Sequence, residues 1–277
     1  MNFTPSDLAA LASLISEAKQ RYGKASMERI EETFAVVAGL RPRCEPEDPY
    51  QRGSEVIFPG LTAKAWHNPE DFEIIAQLEE GWETIKREML AVLERKMGFQ
   101  QFVRFDLDDP RSEVPFEWKA LYLKDGPNLF PENRALCPET MRIISKSSRI
   151  GDIVVFSALN PGGHITPHNA TFNYQLNIHM GLSVPEGDCA IRVGGEVRKW
   201  EPGKCLVFDS SFEHEAWNRA ESTRFIFFTN FWHPELTDPE VDVLTRAYEI
   251  VSKEEADRHN YAVMYEKERL VGQKWWK

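Results

Sequence analysis

His168 and His214 stand at opposite ends of one block of the chain. The first lies in Asn160-Pro-Gly-Gly-His164-Ile-Thr-Pro-His168-Asn-Ala170, the second in Phe208-Asp-Ser-Ser-Phe-Glu-His214-Glu-Ala-Trp217. Imidazoles from distant strands converge on one divalent metal once a sheet closes. Non-haem Fe(II) sites use two such histidines and a carboxylate on one face of the ion. A carboxylate two residues after the first His would share its strand face, and that position here is Ala170. The alanine leaves a coordination position for water or a halide. The same alanine suits a jelly roll that has lost its metal, with both histidines reduced to hydrogen bonding.

Three further features carry chemistry. Arg224, in Thr223-Arg-Phe-Ile-Phe-Phe-Thr-Asn-Phe-Trp232, shares a strand face with Ile226 and Phe228. A buried guanidinium there needs an anion, and a carboxylate is its bidentate match. The competing reading is an arginine at a strand end that snorkels to water. Ser157 is placed to add a hydroxyl to the same carboxylate. Between Phe172 and Met180 the alternation is strict, with Asn173, Gln175, Asn177 and His179 on the polar side. That row either faces solvent or lines a small-molecule site inside a barrel.

The elements that must position these residues follow from periodicity. Short apolar runs separated by Gly and Pro, from Asp152 to Trp232, predict an all-β sandwich or barrel. Leu8, Leu11 and Ile15, after Ser6 as cap, predict a helix over 6–22, and a second helix follows from Ser26 to Val37. Three prolines between Leu40 and Pro49 make a linker, dividing the chain into N-terminal helices (1–50) and a β-rich domain with a C-terminal helical segment (51–277). Ile75, Leu78, Trp82, Ile85, Met89 and Val92 predict one long helix packed on the sheet. Strands are expected at 102–107 and 117–124, a short helix near 138–147, and a helix from Asp238 to about Lys267.

Composition narrows the classes. A net charge of −11 argues against a phosphate-backbone partner. No apolar run is long enough to span a bilayer, and the start of the sequence lacks a signal-peptide pattern. The four cysteines form no CxxC pair, so neither a zinc knuckle nor a disulfide framework is indicated. A reduced cytoplasmic setting is the expectation. Oligomeric state is not legible.

Taken in order, these segments resemble a known family. His164-Ile-Thr-Pro-His168-Asn-Ala-Thr-Phe-Asn173, Leu176-Asn-Ile-His179-Met-Gly-Leu182, Trp200-Glu-Pro-Gly203, Phe208 to Trp217, Arg224 and Trp232-His-Pro-Glu-Leu236 are similar to the aspartyl/asparaginyl β-hydroxylases, which are Fe(II)- and 2-oxoglutarate-dependent oxygenases. Phe58-Pro-Gly-Leu61 extends the likeness to roughly residues 55–240. The resemblance implies a mainly β fold with flanking helices, its core a double-stranded β-helix of the jelly-roll, cupin-like kind. It implies His168 and His214 as iron ligands, with Ala170 at the open ligand position that the family commonly fills with Gly. Ser157 and Arg224 match the positions that hold the distal carboxylate of 2-oxoglutarate, and His179 the one near its chelating end.

The implied reaction hydroxylates an unactivated C–H bond with molecular oxygen while 2-oxoglutarate becomes succinate. The substrate is expected to be a small molecule: an amino acid, a peptide or a derivative. Gln175 and Asn177 stand where members acting on aspartyl side chains carry arginines, which disfavours an acidic target. Trp118 is expected to help shape the substrate site with them. The same two-His site would also serve halogenation, desaturation or oxidative ring closure, and a cupin-like binding protein without turnover is the remaining alternative.

Overall fold

The structure is a computed structural model and describes residues 4–95, 99–101, 118–259 and 276. Helices α1 (Pro5–Tyr22) and α2 (Glu28–Val37) come first. Strand β1 (Trp66–His67), helices α3 (Glu73–Glu80) and α4 (Trp82–Glu94), and strand β2 (Gln100–Gln101) follow. Next come β3 (Trp118–Asp125), β4 (Asn128–Leu129), α5 (Pro131–Leu136) and α6 (Pro138–Ile144). The remaining strands are β5 (Ile150–Leu159), β6 (His164–His168), β7 (Gln175–Ser183), β8 (Cys189–Val193), β9 (Glu196–Arg198), β10 (Cys205–Phe208), β11 (His214–Asn218) and β12 (Arg224–Trp232). Helix α7 (Asp238–His259) ends the described chain apart from Trp276. The strand expected at 102–107 and the end of the expected C-terminal helix lie outside the described residues. No helix among the described residues is long and apolar enough to cross a membrane.

Two antiparallel sheets build the core. The major sheet runs β1-β10-β7-β12-β5-β3-β2, with β4 beside β3, and the minor sheet runs β6-β11-β8-β9. Interior residues from both sheets, among them Val155, Phe208, Ile226 and Phe228 of one and Ile165, Ile191 and Ala216 of the other, form one apolar cluster. This is the double-stranded β-helix, two sheets closed face to face over a shared filling.

The outer face of the major sheet carries Phe156, Leu176, Ile178, Met180 and Phe227, covered by Ile75 and Leu78 of α3, Ile85 and Met89 of α4, and Ile143 of α6. Even-numbered residues of β7 therefore belong to this outer layer. The odd row, Gln175, Asn177 and His179, faces the space between the sheets, and Gln175 and Asn177 are 2% and 7% exposed. The solvent-facing reading of that row is thereby excluded.

The apolar stripe expected to form one helix is split at Gly81. A Cβ there would lie 2.5 Å from Ile143 Cδ1, so the missing side chain is what lets α6 come close at the junction. Helix α1 begins one residue earlier than expected and is capped by Thr4, not Ser6. Thr4 and Asp7 satisfy each other's backbone in a capping box, with Pro5 at the first helical position.

The N-terminal helices pack with α7. Leu11, Leu14, Met27 and Ile30 share a cluster with Val243, Leu244, Phe58 and Trp232. Arg29 of α2 forks onto Glu240 of α7 at 2.8 and 2.6 Å and reaches the Glu235 carbonyl at 3.0 Å. Thr62 binds Glu235 through both its backbone N–H and its hydroxyl, at 2.7 and 2.6 Å.

Two predictions follow from this packing. Phe227 is fully buried with its ring 5.8 Å from that of Phe156, so Phe227→Ala should lower unfolding free energy by about 3–5 kcal/mol in urea titrations. His67 and His233 face each other with ring centroids 5.8 Å apart. Burial, then the charge of His233, push His67 down to about 4, and burial also lowers His233. An unfolded histidine binds its proton near 6.5, so between about pH 6.5 and 4 the unfolded chain takes up more protons and stability declines with acidification. Thermal melts should show Tm falling across that window, and His67→Asn should flatten the fall.

Candidate metal and cosubstrate site

Antiparallel pairing of β6 with β11 puts His168 directly opposite His214. Their ring centroids are 4.1 Å apart. Each ring is oriented from behind: His168 Nδ1 lies 2.7 Å from the Thr166 carbonyl and His214 Nδ1 lies 2.9 Å from the Phe212 carbonyl. A carbonyl can only accept, so both Nδ1 atoms are the protonated ones and the lone pair of each ring sits on Nε2. That tautomer and that convergence suit two ligands of one divalent ion. Ala170 brings no ligating atom; its backbone N–H donates to the Ser210 carbonyl at 2.7 Å. Among the described residues no cluster of three or more His, Cys, Asp or Glu is arranged for a metal. Two imidazoles are what the described chain offers.

The loops that follow β6 and β10 are fastened to one another. Asn169 Nδ2 donates to the carbonyls of Ser211 and Tyr50, both at 2.7 Å. Gln51 donates to Ser211 Oγ at 2.8 Å, and Ser211 N–H donates to Asp209 at 2.8 Å. Burial pushes the Asp209 carboxyl up to about 7 against these hydrogen bonds. Gly53 permits the close stacking, since a Cβ there would fall 2.0 Å from Asn169 Oδ1. Farther along, Val56 N–H reaches the Thr171 carbonyl and Phe58 N–H the Asn173 side chain, each at 2.8 Å. The segment before β1 thus straps the histidine-bearing loops.

Deeper in the barrel is a site of opposite polarity to a carboxylate. Arg224 is 1% exposed, which excludes the snorkelling alternative. Its Nε has no acceptor, and the described residues contain no ion-pair partner for it. Burial lowers its pKa to about 10, with the Cys189 thiol opposing the shift. Ser157 sits two rungs away on the neighbouring strand, opposite Ile226, and accepts a hydrogen bond from Trp118 Nε1 at 3.0 Å. Trp118, expected in the substrate site, thus orients the serine.

His179 lies between Arg224 and the histidine pair. Burial, then Arg224, then His214 hold its imidazole well below the ordinary histidine value, so it is neutral. Its ring packs against Phe208 and Phe228 at 4.9 and 4.7 Å, and Phe208 in turn lies 5.7 Å from His214. His179 Nδ1 is buried without a partner. Gln175 and Asn177 continue the row away from Arg224. Gln175 donates to Asp152 at 2.6 Å, and Asn177 accepts from Asn230 at 3.2 Å.

The structure therefore brings His168, His214, His179, Arg224 and Ser157 to one interior, with Gln175 and Asn177 on the same sheet face farther out. Trp66, Trp200, Phe208 and Asn230 line that interior as well and were not singled out from the sequence. Period-2 alternation from Arg224 would have placed Asn230 on its face. Nothing local ties Trp66 or Trp200 to it.

Asn169 holds both histidine loops, so Asn169→Ala should weaken Zn(II) binding by about ten-fold in calorimetric titration while leaving the melting temperature above ambient.

Comparison with known proteins adds a frame. Residues 79–234 match the sequence model described as aspartyl/asparaginyl beta-hydroxylase. The aspartyl/asparaginyl beta-hydroxylase of Mus musculus is 36% identical over 189 residues, 64% of this chain and 24% of that protein. The Homo sapiens protein of the same name is 35% identical over the same length. An ornithine lipid ester-linked acyl 2-hydroxylase of Rhizobium tropici is 33% identical over 165 residues, 59% of this chain and 58% of that one. The chain spans about a quarter of the length of the mouse and human proteins it matches.

Proposed function

The chain belongs to the aspartyl/asparaginyl β-hydroxylase family, and from that premise we propose that it is an Fe(II)- and 2-oxoglutarate-dependent hydroxylase of an unactivated C–H bond in an amino-acid-like or peptide-derived small molecule. The observation that carries the reading is Arg224, a fully buried guanidinium with no anion of its own, in the same interior as two facing imidazoles. His168 and His214 would hold the ferrous ion through Nε2. Arg224 and Ser157 would hold the distal carboxylate of the keto acid, and neutral His179 would stand near its chelating end. When bound, the iron and the keto acid supply the oxidising chemistry: one oxygen atom of O2 enters the substrate as hydroxyl and the other enters succinate, with release of CO2.

What the residues do around that chemistry is separable. The guanidinium selects a dicarboxylic keto acid over a monocarboxylic one, because only the former brings a second carboxylate to its fork. The apolar wall of Phe208, Phe228, Val155 and Ile226 keeps the surroundings of that charge dry, which strengthens the pairing. On the far side, Gln175, Asn177 and Asn230 would present neutral amides to the substrate, where an arginine pair would present charge. An aspartyl carboxylate is poorly matched there.

Iron-dependent succinate release, stimulated by one member of a panel of amino acids, small peptides and acylated amino acids, is the expected result. Arg224→Ala should raise the KM for 2-oxoglutarate at least about ten-fold, as loss of a charged hydrogen-bonding partner predicts. Absence of succinate with every candidate and with Fe(II) supplied would favour a cupin-like binding protein. Ala170 favours one second reading, halogenation, because it leaves a coordination position for chloride. Product made with and without chloride, compared by mass spectrometry, separates the two. Desaturation and ring closure show in the same spectra as a loss of two mass units.

A further inference from the structure

Trp200 lies on the strap between β9 and β10, where the chain passes from the minor sheet to the major one. Glu201, Pro202 and Gly203 turn the strap beside Gly181, and Gly203 N–H is bonded to the Gly181 carbonyl at 2.8 Å. The indole is 3% exposed and belongs to the interior cluster. Its ring centroid is 4.6 Å from the Arg224 guanidinium carbon, and its ring stacks with that of His179 at 6.2 Å and 27°. The tryptophan therefore spans the distance between the two residues assigned to opposite ends of the keto acid.

Packing alone does not account for an indole. Trp200 Nε1 and Arg224 Nε are buried with no acceptor, and His179 Nδ1 is buried with no hydrogen-bond partner. Buried N–H groups without partners are rare because each forfeits its hydration for nothing. Here two of the unanswered groups, the Trp200 and Arg224 N–H, belong to residues in contact, one of them cationic, and His179 lies against the same indole. A ligand with several acceptor oxygens and negative charge answers them together. Trp66, the other interior indole with an unanswered N–H, packs on Phe208 and under Arg198 instead.

We propose that Trp200 is a cosubstrate-binding residue: its Nε1–H donates to the carboxylate held by Arg224, while its ring face fixes the guanidinium by a cation–π contact. The assignment rests on the 2-oxoglutarate reading above. It makes the anion site a fork of guanidinium plus indole, supported by the Ser157 hydroxyl.

The test uses the 277-residue chain loaded with redox-inert Zn(II), and calorimetry of two keto acids: 2-oxoglutarate, and 2-oxobutanoate, which lacks the distal carboxylate. Trp200→Phe retains a ring over Arg224 and removes the N–H. It should weaken 2-oxoglutarate about ten-fold, the worth of one hydrogen bond to a charged group, and leave 2-oxobutanoate unchanged. Wild-type affinity for 2-oxoglutarate, or an equal loss for both acids, overturns the proposal.

Arg224→Lys separates the two levels of the argument. If it weakens 2-oxoglutarate and Trp200→Phe does not, only the tryptophan assignment falls. If it too binds normally, the cosubstrate site falls and Trp200 with it. Should Trp200→Phe fail to fold, the unmodified protein still decides. One of its eight indole N–H resonances should move downfield with 2-oxoglutarate and not with 2-oxobutanoate, and the absence of any such shift overturns the assignment.

Discussion

A guanidinium sealed inside an apolar barrel, without a counter-charge, is the constraint on which the remainder of this structure turns. Arg224 opens β12, the central strand of the major sheet, with β5 on one side and β7 on the other. Placing a cation there opposes folding, and its lowered pKa reflects that cost. The surroundings compensate by geometry rather than by charge: Trp200 covers the guanidinium, Ser157 lies nearby on the adjacent strand, and the outer face of the same strand is buried under three helices. Removing any of these would leave a charge that water must reach. The fold buries the charge and gives its Nε no acceptor, and the proposed function supplies an anion for it.

The histidine pair depends on the same closure in a different way. Its two members come from the minor sheet, whose β6 and β11 are short, and their alignment relies on the loops beyond the strand ends. Asn169, Gln51 and Ser211 connect those loops to the segment before β1, which is itself anchored by Thr62, Glu235 and the Arg29–Glu240 pair. The expected boundary near residue 50 thus falls inside a connected set of bonds that runs from the terminal helices to the histidine loops. Rigidity reaches the imidazoles through hydrogen bonds to backbone carbonyls, so each ring has one tautomer and one direction.

What the sequence revealed followed the range of the interactions involved. Strict alternation around His179 is a local signal, and the strand and its buried polar face follow it. The facing of His168 and His214 was legible only as convergence, because register between β6 and β11 depends on the intervening chain. Gly81 was missed since the apolar spacing continues unbroken across it, and its need for no side chain comes from Ile143 of a later helix. Ser6 lost to Thr4 because a reciprocal cap with Asp7 outweighs a single hydroxyl. Trp200 was invisible as a site residue for the opposite reason to His179: its partners are Arg224 and His179, which only the closed barrel brings to it.

The interior is sorted by charge along its length, and that sorting bears on substrate more directly than any relative does. Arg224 and Asn230 share β12 and lie six residues apart, roughly 20 Å of extended strand. At one end stands a cation beside a serine and an indole; at the other, Asn230 donates to Asn177 and Gln175 donates to the buried Asp152, with Lys124 bonded to the adjacent Gly151 carbonyl. Burial raises the Asp152 carboxyl above its ordinary range despite the Gln175 hydrogen bond and the nearby Lys124 charge, and a second carboxylate brought to that end would meet the same desolvation cost. Asn230 Oδ1 is buried there without a donor. A group carrying N–H or O–H bonds answers that end, as a carboxylate answers the other. Under the proposed function, this sorting by charge assigns the dianion to the deep end and a neutral hydrogen-bond donor to the opposite one before shape is considered.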